Sequence, residues 1–541
     1  MSNFLILTKS ILILMFGILL VENRSVCAEQ VNREQIDLIV NQTISAFQVP
    51  GAAIAIVKDG KTIHLKGYGV SNLDTNEPVN EKTVFKIASN TKAFTTAALA
   101  VLVERKKLNW DDKVVKYLPN FKMYDPWVSK EFNVRDLLVH RSGLRIGAGD
   151  LMLWPEPTKF TRQDVIENLR HLKPVAGFRD EYAYDNLLYI VAGELIAKVS
   201  GMSWETFVEL QLFTPLQMER CFAGGIATEN QTNIAAPHAI VENKLIVLDK
   251  YVINNKTSLM AAAGGIKCSA EDLAKWVKLQ LNQGKINAKN KLVSKRLFSK
   301  EQSDILWKPV TTLPLSDELR QLDKTTYRSY ALGWRISDFF GYRSVSHTGM
   351  LGGFMSQIIL LPELNVGIVI LTNQQSSDAR NSLARGLLQK FVPQANNPAN
   401  VSGTKVDWVK YYSKEREIKN STKKKDITSD NNYQEIKIDT EQLLTDRLGQ
   451  YKDVWFGDVV LEKVGIDIVF RSIKSPRMIG KIYAHDSNRW WVKWDDRSFD
   501  ADAWLNFKLN DVTNKTEFSM KAISSETDFS FDFEDLYFIK K

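Results

Sequence analysis

The stretch from Ser89 to Leu108 constrains the fold more than any other: Ser-Asn-Thr-Lys-Ala-Phe-Thr-Thr-Ala-Ala-Leu-Ala-Val-Leu-Val-Glu-Arg-Lys-Lys-Leu. Its body is rich in Ala and Leu, strong helix formers, and Ser89 is a good helix N-cap. Just ahead, Val84-Phe85-Lys86-Ile87-Ala88 reads as a short strand. A serine at a strand-to-helix turn has its hydroxyl exposed among the free N–H groups of the first helical turn. Lys92 lies one turn on, on the same helical face. A serine hydroxyl is a poor nucleophile without a base beside it. Lys92 can be that base if burial and neighbours lower its pKa. The spacing alone is not specific. Ser402 to Lys405 and Ser421 to Lys424 repeat it in polar, Lys-rich sequence with no apolar helix behind, where a cap and a solvated lysine explain the pattern.

The chain of 541 residues has room for two or three domains. Its 44% apolar and 25% charged content is ordinary for a globular protein. Much of the net charge of +8 sits in short clusters such as Lys423-Lys424-Lys425. We read it as weak surface attraction, with no nucleic-acid partner. There is no His-Glu-x-x-His and no Cys/His cluster at metal-ligand spacing, so neither a metal nor another cofactor is expected. At the N-terminus, Lys9, the apolar run Ile11 to Val21 and Ser25-Val26-Cys27-Ala28 form a signal-peptide pattern. The run is shorter than the roughly 20 residues of a membrane span. Cleavage after Ala28 and export to the periplasm or the medium are expected, with an uncleaved anchor as the alternative. Arg24-Ser25-Val26 is a poor lipoprotein signal. Cleavage leaves Cys221 and Cys268, which the sequence allows either to pair or to remain buried thiols.

Residues Gln35 to Val49 read as a helix, and Gly51 to Val70 as a hairpin turning at Asp59-Gly60. Val134 to Leu144 reads as a short helix stopped at Ser142-Gly143, with His140 a packed histidine. Gly147 to Phe160 is irregular, a candidate flap. Tyr182-Ala183-Tyr184-Asp185-Asn186 then places a polar cluster at the mouth of the apolar helix Leu187 to Val199. Tyr184 can pass protons if nearby positive charge lowers its pKa. Asn186 can hold a substrate carbonyl or fix the lysine; each can equally be structural. From Leu332 to Thr372 the pattern is strand after strand, and His347-Thr348-Gly349 ends one of them, followed by Gly352-Gly353. A helix over Ser376 to Phe391 closes the region.

The ordered set of Ser-x-x-Lys, Tyr-x-Asn and His-Thr-Gly resembles the serine hydrolases related to class C β-lactamases, penicillin-recognising D,D-peptidases and D-aminopeptidases. Leu137 to Leu144, Pro215-Leu216-Gln217-Met218 and Ala263 to Ser269 are similar to the same family. The resemblance implies an α/β fold, an antiparallel sheet flanked by helices with an all-helical subdomain, the site lying between them. It implies Ser89 as nucleophile, Lys92 and Tyr184 sharing its proton, and Asn186, His347, Thr348 and Gly349 orienting substrate. It also implies an oxyanion hole from the backbone N–H groups of Ser89 and Met350. His347 stands where β-lactamases usually carry a lysine, so β-lactam hydrolysis is in doubt while acyl transfer is not.

After Val392-Pro393 the chain turns polar and Lys-rich, which reads as a linker. Beyond Leu448 it reads as strands. Phe529-Ser530-Phe531-Asp532-Phe533 alternates strictly, the pattern of a strand with one buried face. The region is similar to the small lipocalin-like β-barrel appended to some family members, its aromatics filling the barrel core. The expected domains are a signal peptide (1–28), a hydrolase (29–395), a linker (396–447) and a barrel (448–541). The expected function is acyl hydrolysis of a small-molecule or short-peptide substrate, foremost as a peptidase or amidase on D-amino-acid peptides. Esterase or β-lactamase activity is the alternative within the fold, and an inactive peptidoglycan- or partner-binding protein the alternative outside it. No stable membrane span is expected after cleavage, and a homo-oligomer is possible.

Overall fold

The computed structural model describes residues 32–226, 231–248, 258–286, 296–392, 406–429, 446–486 and 488–541. The expected signal peptide therefore lies outside the described residues. Helix α1 (Arg33–Ala46) leads to the hairpin β1 (Gly51–Lys58) and β2 (Lys61–Gly69). Strand β3 (Val84–Lys86) runs through a 3-10 turn, Ala88–Asn90, into α2 (Thr91–Glu104). Then come α3 (Leu187–Ser200), β4 (Cys221–Phe222), β5 (Lys267–Ser269) and α4 (Ala270–Leu281). Strands β6 (Thr311–Thr312), β7 (Arg328–Tyr330), β8 (Arg335–Phe339), β9 (Tyr342–Leu351), β10 (Phe354–Leu361) and β11 (Val366–Thr372) follow, and α5 (Ser377–Leu388) packs on them.

The main sheet has eight strands in the order β2-β1-β11-β10-β9-β8-β7-β6, every pair antiparallel. Both faces are buried, which is why β1 and β11 are almost wholly apolar. Ala52, Ile54 and Ile56 face α1 and α5, while Ala53, Ala55 and Val57 face the larger core. Helix α2 is buried on nearly every side from Thr91 to Leu102, as a helix apolar all round must be. Phe94 stacks on Trp276 of α4, ring centroids 3.9 Å apart. The fold is thus the β-lactamase/transpeptidase-like α/β arrangement.

A smaller sheet, β3-β5-β4, pairs Cys221 directly with Cys268 across two strands. The two cysteines, whose pairing the sequence left open, form a disulfide. It ties β4 to β5, and β5 pairs with β3, the strand that delivers Ser89.

Helix α6 (Trp408–Ser429) lies within the stretch read as linker. Its Trp408 and Tyr412 are buried against Phe47, Val49 and Ala379. The C-terminal region closes as an eight-stranded barrel: β12 (Gly449–Asp453), β13 (Gly457–Val464), β14 (Asp467–Ser472), β15 (Ile479–Ala484), β16 (Arg489–Trp494), β17 (Ala503–Asn510), β18 (Lys515–Ala522) and β19 (Tyr537–Lys540). Tyr451, Phe470, Trp490, Trp494, Phe518 and Phe538 are buried inside, so aromatic side chains fill it. The segment Phe529 to Phe533 is not a strand. It is a turn on the barrel that reaches the hydrolase domain. The expected flap is likewise fixed: Leu151, Met152 and Leu153 are buried. The barrel holds its flanks, Lys474 Nζ donating to Asp164 at 3.0 Å and Arg477 to the Glu156 carbonyl at 2.6 Å.

Removing the disulfide frees a loop with a sequence separation of 47 residues. Cys221→Ala/Cys268→Ala should lose about 4 kcal/mol of stability from loop-closure entropy, read as a lower denaturant midpoint with a raised m-value, since the unlinked chain unfolds to a more open state.

Candidate active site

Ser89 sits in the short turn ahead of α2, and Asn90, not Ser89, takes the cap position of the helix. The preceding Ala88 holds φ at +47°, a conformation that costs a non-glycine residue about 1 kcal/mol or more. The turn is wedged against β9. A Cβ on Gly349 would lie 2.3 Å from the Ile87 carbonyl oxygen and 2.4 Å from Ser356 Oγ, so only glycine fits there. Ser356 Oγ donates to the same Ile87 carbonyl at 2.6 Å and accepts from Asn90 Nδ2 at 2.7 Å. Strand β10 thereby fixes the turn that carries the serine.

The ammonium end of Lys92 is fully buried. Its Nζ lies 3.2 Å from Ser89 Oγ, 2.7 Å from Asn186 Oδ1 and 2.9 Å from the Ala263 carbonyl oxygen. The last two can only accept. A neutral amine has two N–H donors and one lone pair. With both donors on carbonyl oxygens, the lone pair is left for the Ser89 hydroxyl. Burial above all lowers the Lys92 pKa; Asp150 and Asp185 oppose the shift and Arg335 adds to it, with the net result a fall from 10.5 to about 7.

Asn186 makes no cap bond at the head of α3. Its Nδ2 instead donates to Asp150 Oδ2 at 2.8 Å, so the amide spans from lysine to carboxylate. Of its two expected roles, the geometry assigns fixing the lysine. Burial pushes Asp150 up to about 8 and Asp185 up to about 7. Lys92 and these two carboxyls are thus all displaced toward neutrality, and each carboxyl acts on Lys92 through its charge.

Lys92 Nζ lies over the Tyr184 ring, 4.8 Å from its centroid. Tyr184 Oη is buried with no hydrogen-bond partner among the described residues, although Ser89 is near enough to favour its ionisation. The sequence allowed Tyr184 to pass protons on the condition that nearby positive charge lowers its pKa. Burial outweighs Arg335 and Ser89 and raises it instead. Tyr184 holds its proton while Lys92 can lose one.

His347 departs from its expected place. The imidazole is wholly buried and does not line the cavity. Its Nδ1 donates to the Thr348 carbonyl at 2.7 Å, so Nε2 accepts from Tyr330 Oη at 2.8 Å. Burial and the positive charges of Arg335 and Lys92 hold it neutral, well below its usual pKa. The cation at the cavity wall is Arg335, donating to Thr348 Oγ1 at 3.0 Å. Arg380 of α5 joins it. Tyrosines are the groups that favour the charge on Arg335, and on Arg380 the carboxylate of Asp378 acts through space without outweighing burial and Arg335. Gly349 acts by letting β9 approach. On β9, the two-residue turn at Gly352-Gly353 places the ladder bonds at Leu351/Phe354 and Gly349/Ser356. Antiparallel alternation then aims the Met350 N–H away from β10.

These groups surround a cavity of about 490 Å³. Ser89, Tyr184, Asn186, Arg335, Thr348 and Met350 line it, together with Ser498, Phe499 and Asp528 to Phe531 of the barrel. The sequence did not single out Asp150, Arg335, Arg380 or Ser530. Asp185 was visible between Tyr184 and Asn186 without a role. Among the described residues no cluster of His, Cys, Asp and Glu could hold a metal.

A serine with a buried amine beside it, on this fold, defines a serine hydrolase with a penicillin-binding-like fold. A β-lactamase family model matches residues 39–390, and the chain belongs to the β-lactamase family of serine hydrolases. A second model, for a domain of unknown function (DUF3471), matches residues 435–540. Protein flp of Staphylococcus aureus (strain MW2) is 29% identical over 361 residues, 64% of each chain, so the chain spans just under two thirds of that relative. Unguisins hydrolase ungD' of Aspergillus campestris is 27% identical over 397 residues, 71% of this chain and 69% of that one. The octameric penicillin-binding protein homologue from Pyrococcus abyssi shares the fold, with a TM-score of 0.58 at 21% identity over 94% of this chain and 99% of that one.

The Lys92 shift has a stability consequence. Between pH 7 and 10.5 the unfolded chain binds more protons at this site than the folded one, so its contribution to stability rises with pH across that window. The unfolding midpoint of Lys92→Met relative to wild type should be highest below the window and decline through it. A difference that does not change with pH would mean Lys92 titrates normally.

Proposed function

We propose that the chain is an exported serine hydrolase that forms an acyl-enzyme on Ser89 and acts as a peptidase or amidase on short peptides containing D-amino acids. The observation that carries the acyl-enzyme is the place of Lys92 Nζ, 3.2 Å from Ser89 Oγ and with its two other partners both carbonyl oxygens, so that the neutral amine turns its lone pair to the Ser89 hydroxyl. Lys92 Nζ takes the Ser89 proton as Oγ bonds to the substrate carbonyl carbon. The N–H groups of Ser89 and Met350 receive the oxyanion, each such donor contributing about 3–4 kcal/mol in the transition state. When the scissile C–N bond breaks, the proton passes from Lys92 through the Tyr184 hydroxyl to the leaving nitrogen. Water then attacks the ester, its proton returning by the same route, and the acid and free Ser89 are restored.

The resemblance to D,D-peptidases and D-aminopeptidases supports the D-residue. Arg335 and Arg380 support a substrate bearing a carboxylate, because guanidiniums that face a cavity are suited to bind one. The Cys221–Cys268 disulfide supports export, since disulfides persist in oxidising compartments. The octameric structural neighbour supports a homo-oligomer.

A fluorophosphonate probe should label the wild type and not Ser89→Ala; unlabelled wild type would leave an inactive binding protein. D-amino-acid peptides and amides should be cleaved faster than p-nitrophenyl esters or cephalosporins. Arg335→Ala should lose roughly tenfold or more in kcat/KM on carboxylate-bearing substrates beyond its loss on neutral esters, the extra loss mostly in KM, because removing the guanidinium also raises the Lys92 pKa for every substrate. Equal losses on both would assign Arg335 to another role.

A further inference from the structure

We propose that Ser530, carried by the C-terminal barrel, is a positioning residue for Lys92 and acts through Asp150 and Asn186. The inference rests on the acyl-enzyme reading. Asp150 Oδ2 accepts two hydrogen bonds, from Asn186 Nδ2 at 2.8 Å and from Ser530 Oγ at 3.0 Å. The other end of the amide meets Lys92 Nζ at 2.7 Å. Four side chains from four separate segments of the chain thus form one line from the barrel to the nucleophile.

The line matters because an amide can flip. With its NH2 on the carboxylate, Asn186 must present oxygen to the lysine. Were the carboxylate displaced, the amide could turn its NH2 toward Nζ, donor against donor, and the lone pair would no longer be reserved for Ser89. The barrel turn holds the carboxylate from both sides. Ser530 binds Asp150 itself, and Asp532 Oδ2 accepts the neighbouring Gly149 N–H at 2.8 Å. The Phe529 ring meets Tyr184 edge-on, centroids 5.7 Å apart. A Cβ on Gly147 would lie 2.4 Å from the Phe529 carbonyl oxygen, so the two domains touch backbone to backbone here.

The charge on Asp150 also reaches Lys92. Lys92 faces Asp150 from the short 3-10 turn Asp150–Met152, Asp185 at the head of α3 and Arg335 of β8, with the phenol of Tyr184 and the imidazoles of His140 and His347 close by. Asp150 in turn faces Lys92, Asp185 and Asp532. Ser530 donates to the Asp150 carboxylate and favours its ionised form. Without that bond Asp150 is neutral more often, Lys92 loses part of its negative neighbour, and its proton is held less tightly.

The second-order rate of Ser89 labelling by a fluorophosphonate, followed against pH in the full chain, tests this without a known substrate. In Ser530→Ala the plateau rate should fall roughly tenfold, the size of one hydrogen bond to a charged group, and the acidic limb should move to lower pH. Ser530→Thr, which keeps the hydroxyl, should match wild type. Asp150→Asn should shift the limb in the same direction as Ser530→Ala, which keeps the test open if the alanine variant does not fold. A folded Ser530→Ala with the wild-type rate and limb overturns the proposal. So does a slower rate with an unmoved limb, which would make the turn a wall only. Failure to label the wild type sinks the acyl-enzyme reading, and this inference with it.

Discussion

An amine that is to take a proton from an alcohol at neutral pH must first be kept from holding one. Lys92 meets this requirement by burial, and much of the hydrolase domain is arranged to bury it. Helix α2 is apolar on every side because it runs through the core between the sheet and the helical subdomain. Helix α3, equally apolar, brings Asn186 to the amine. The Ala-Gly turn ahead of β5 brings the Ala263 carbonyl. Thr95 of α2 donates to the neighbouring Ala262 carbonyl at 2.7 Å, which holds that turn at its distance.

Burial alone would overshoot. A lysine deep in a protein can fall several units below its usual pKa and then lack the basicity to hold the serine proton. Asp150 and Asp185 counter the desolvation, while Arg335 adds to it. Both carboxyls are themselves raised by burial, so each carries only part of a negative charge near neutrality. Tyr184 stands in the same environment with the opposite outcome: its neutral form is the protonated one, so burial keeps its proton on. One dry pocket thereby prepares an acceptor and a donor side by side.

What the sequence revealed and what it hid follow from distance along the chain. Ser89 and Lys92 share one helical turn, and Tyr184 and Asn186 share the head of another helix. Local periodicity places such residues without reference to the rest. Arg335 and Asp150 reach the site only through the packing of strand and loop, and no local pattern marks them. His347 was legible as the head of a motif, yet its side chain points to Tyr330, because alternation along β9 sends Thr348 to the cavity in its stead. The stretch Phe529 to Phe533 was misread for an instructive reason. Its alternation holds from Ser530 onward: Phe531 and Phe533 pack with Phe499 and Trp494 on the barrel side, while Ser530 and Asp532 bond to the hydrolase domain, where the Phe529 ring also lies, against Tyr184. Its two faces meet two domains, not core and solvent, and a turn can do that as well as a strand.

The same two-sidedness fixes how the domains relate. Trp455 sits at the base of the barrel, its carbonyl accepting from Asn168 at 2.9 Å and its indole N–H donating to the Asp535 carbonyl at 3.0 Å. Arg145 pairs with Glu534 at 3.0 Å. The contacts made to the hydrolase domain here, with those of Lys474 and Arg477, fall on residues 145–168, a largely irregular stretch that ends in the short helix Arg162–Asn168 and carries Asp150 beside the site. Loops of this kind are where local opening concentrates in most folds. Here a second domain packs against that stretch, its own interior occupied by the rings of Tyr451, Phe470, Trp490, Trp494, Phe518 and Phe538. A barrel so filled meets the hydrolase domain through its outer turns, and the turn from Asp528 to Asp532 reaches the carboxylate that bonds the amide of Asn186.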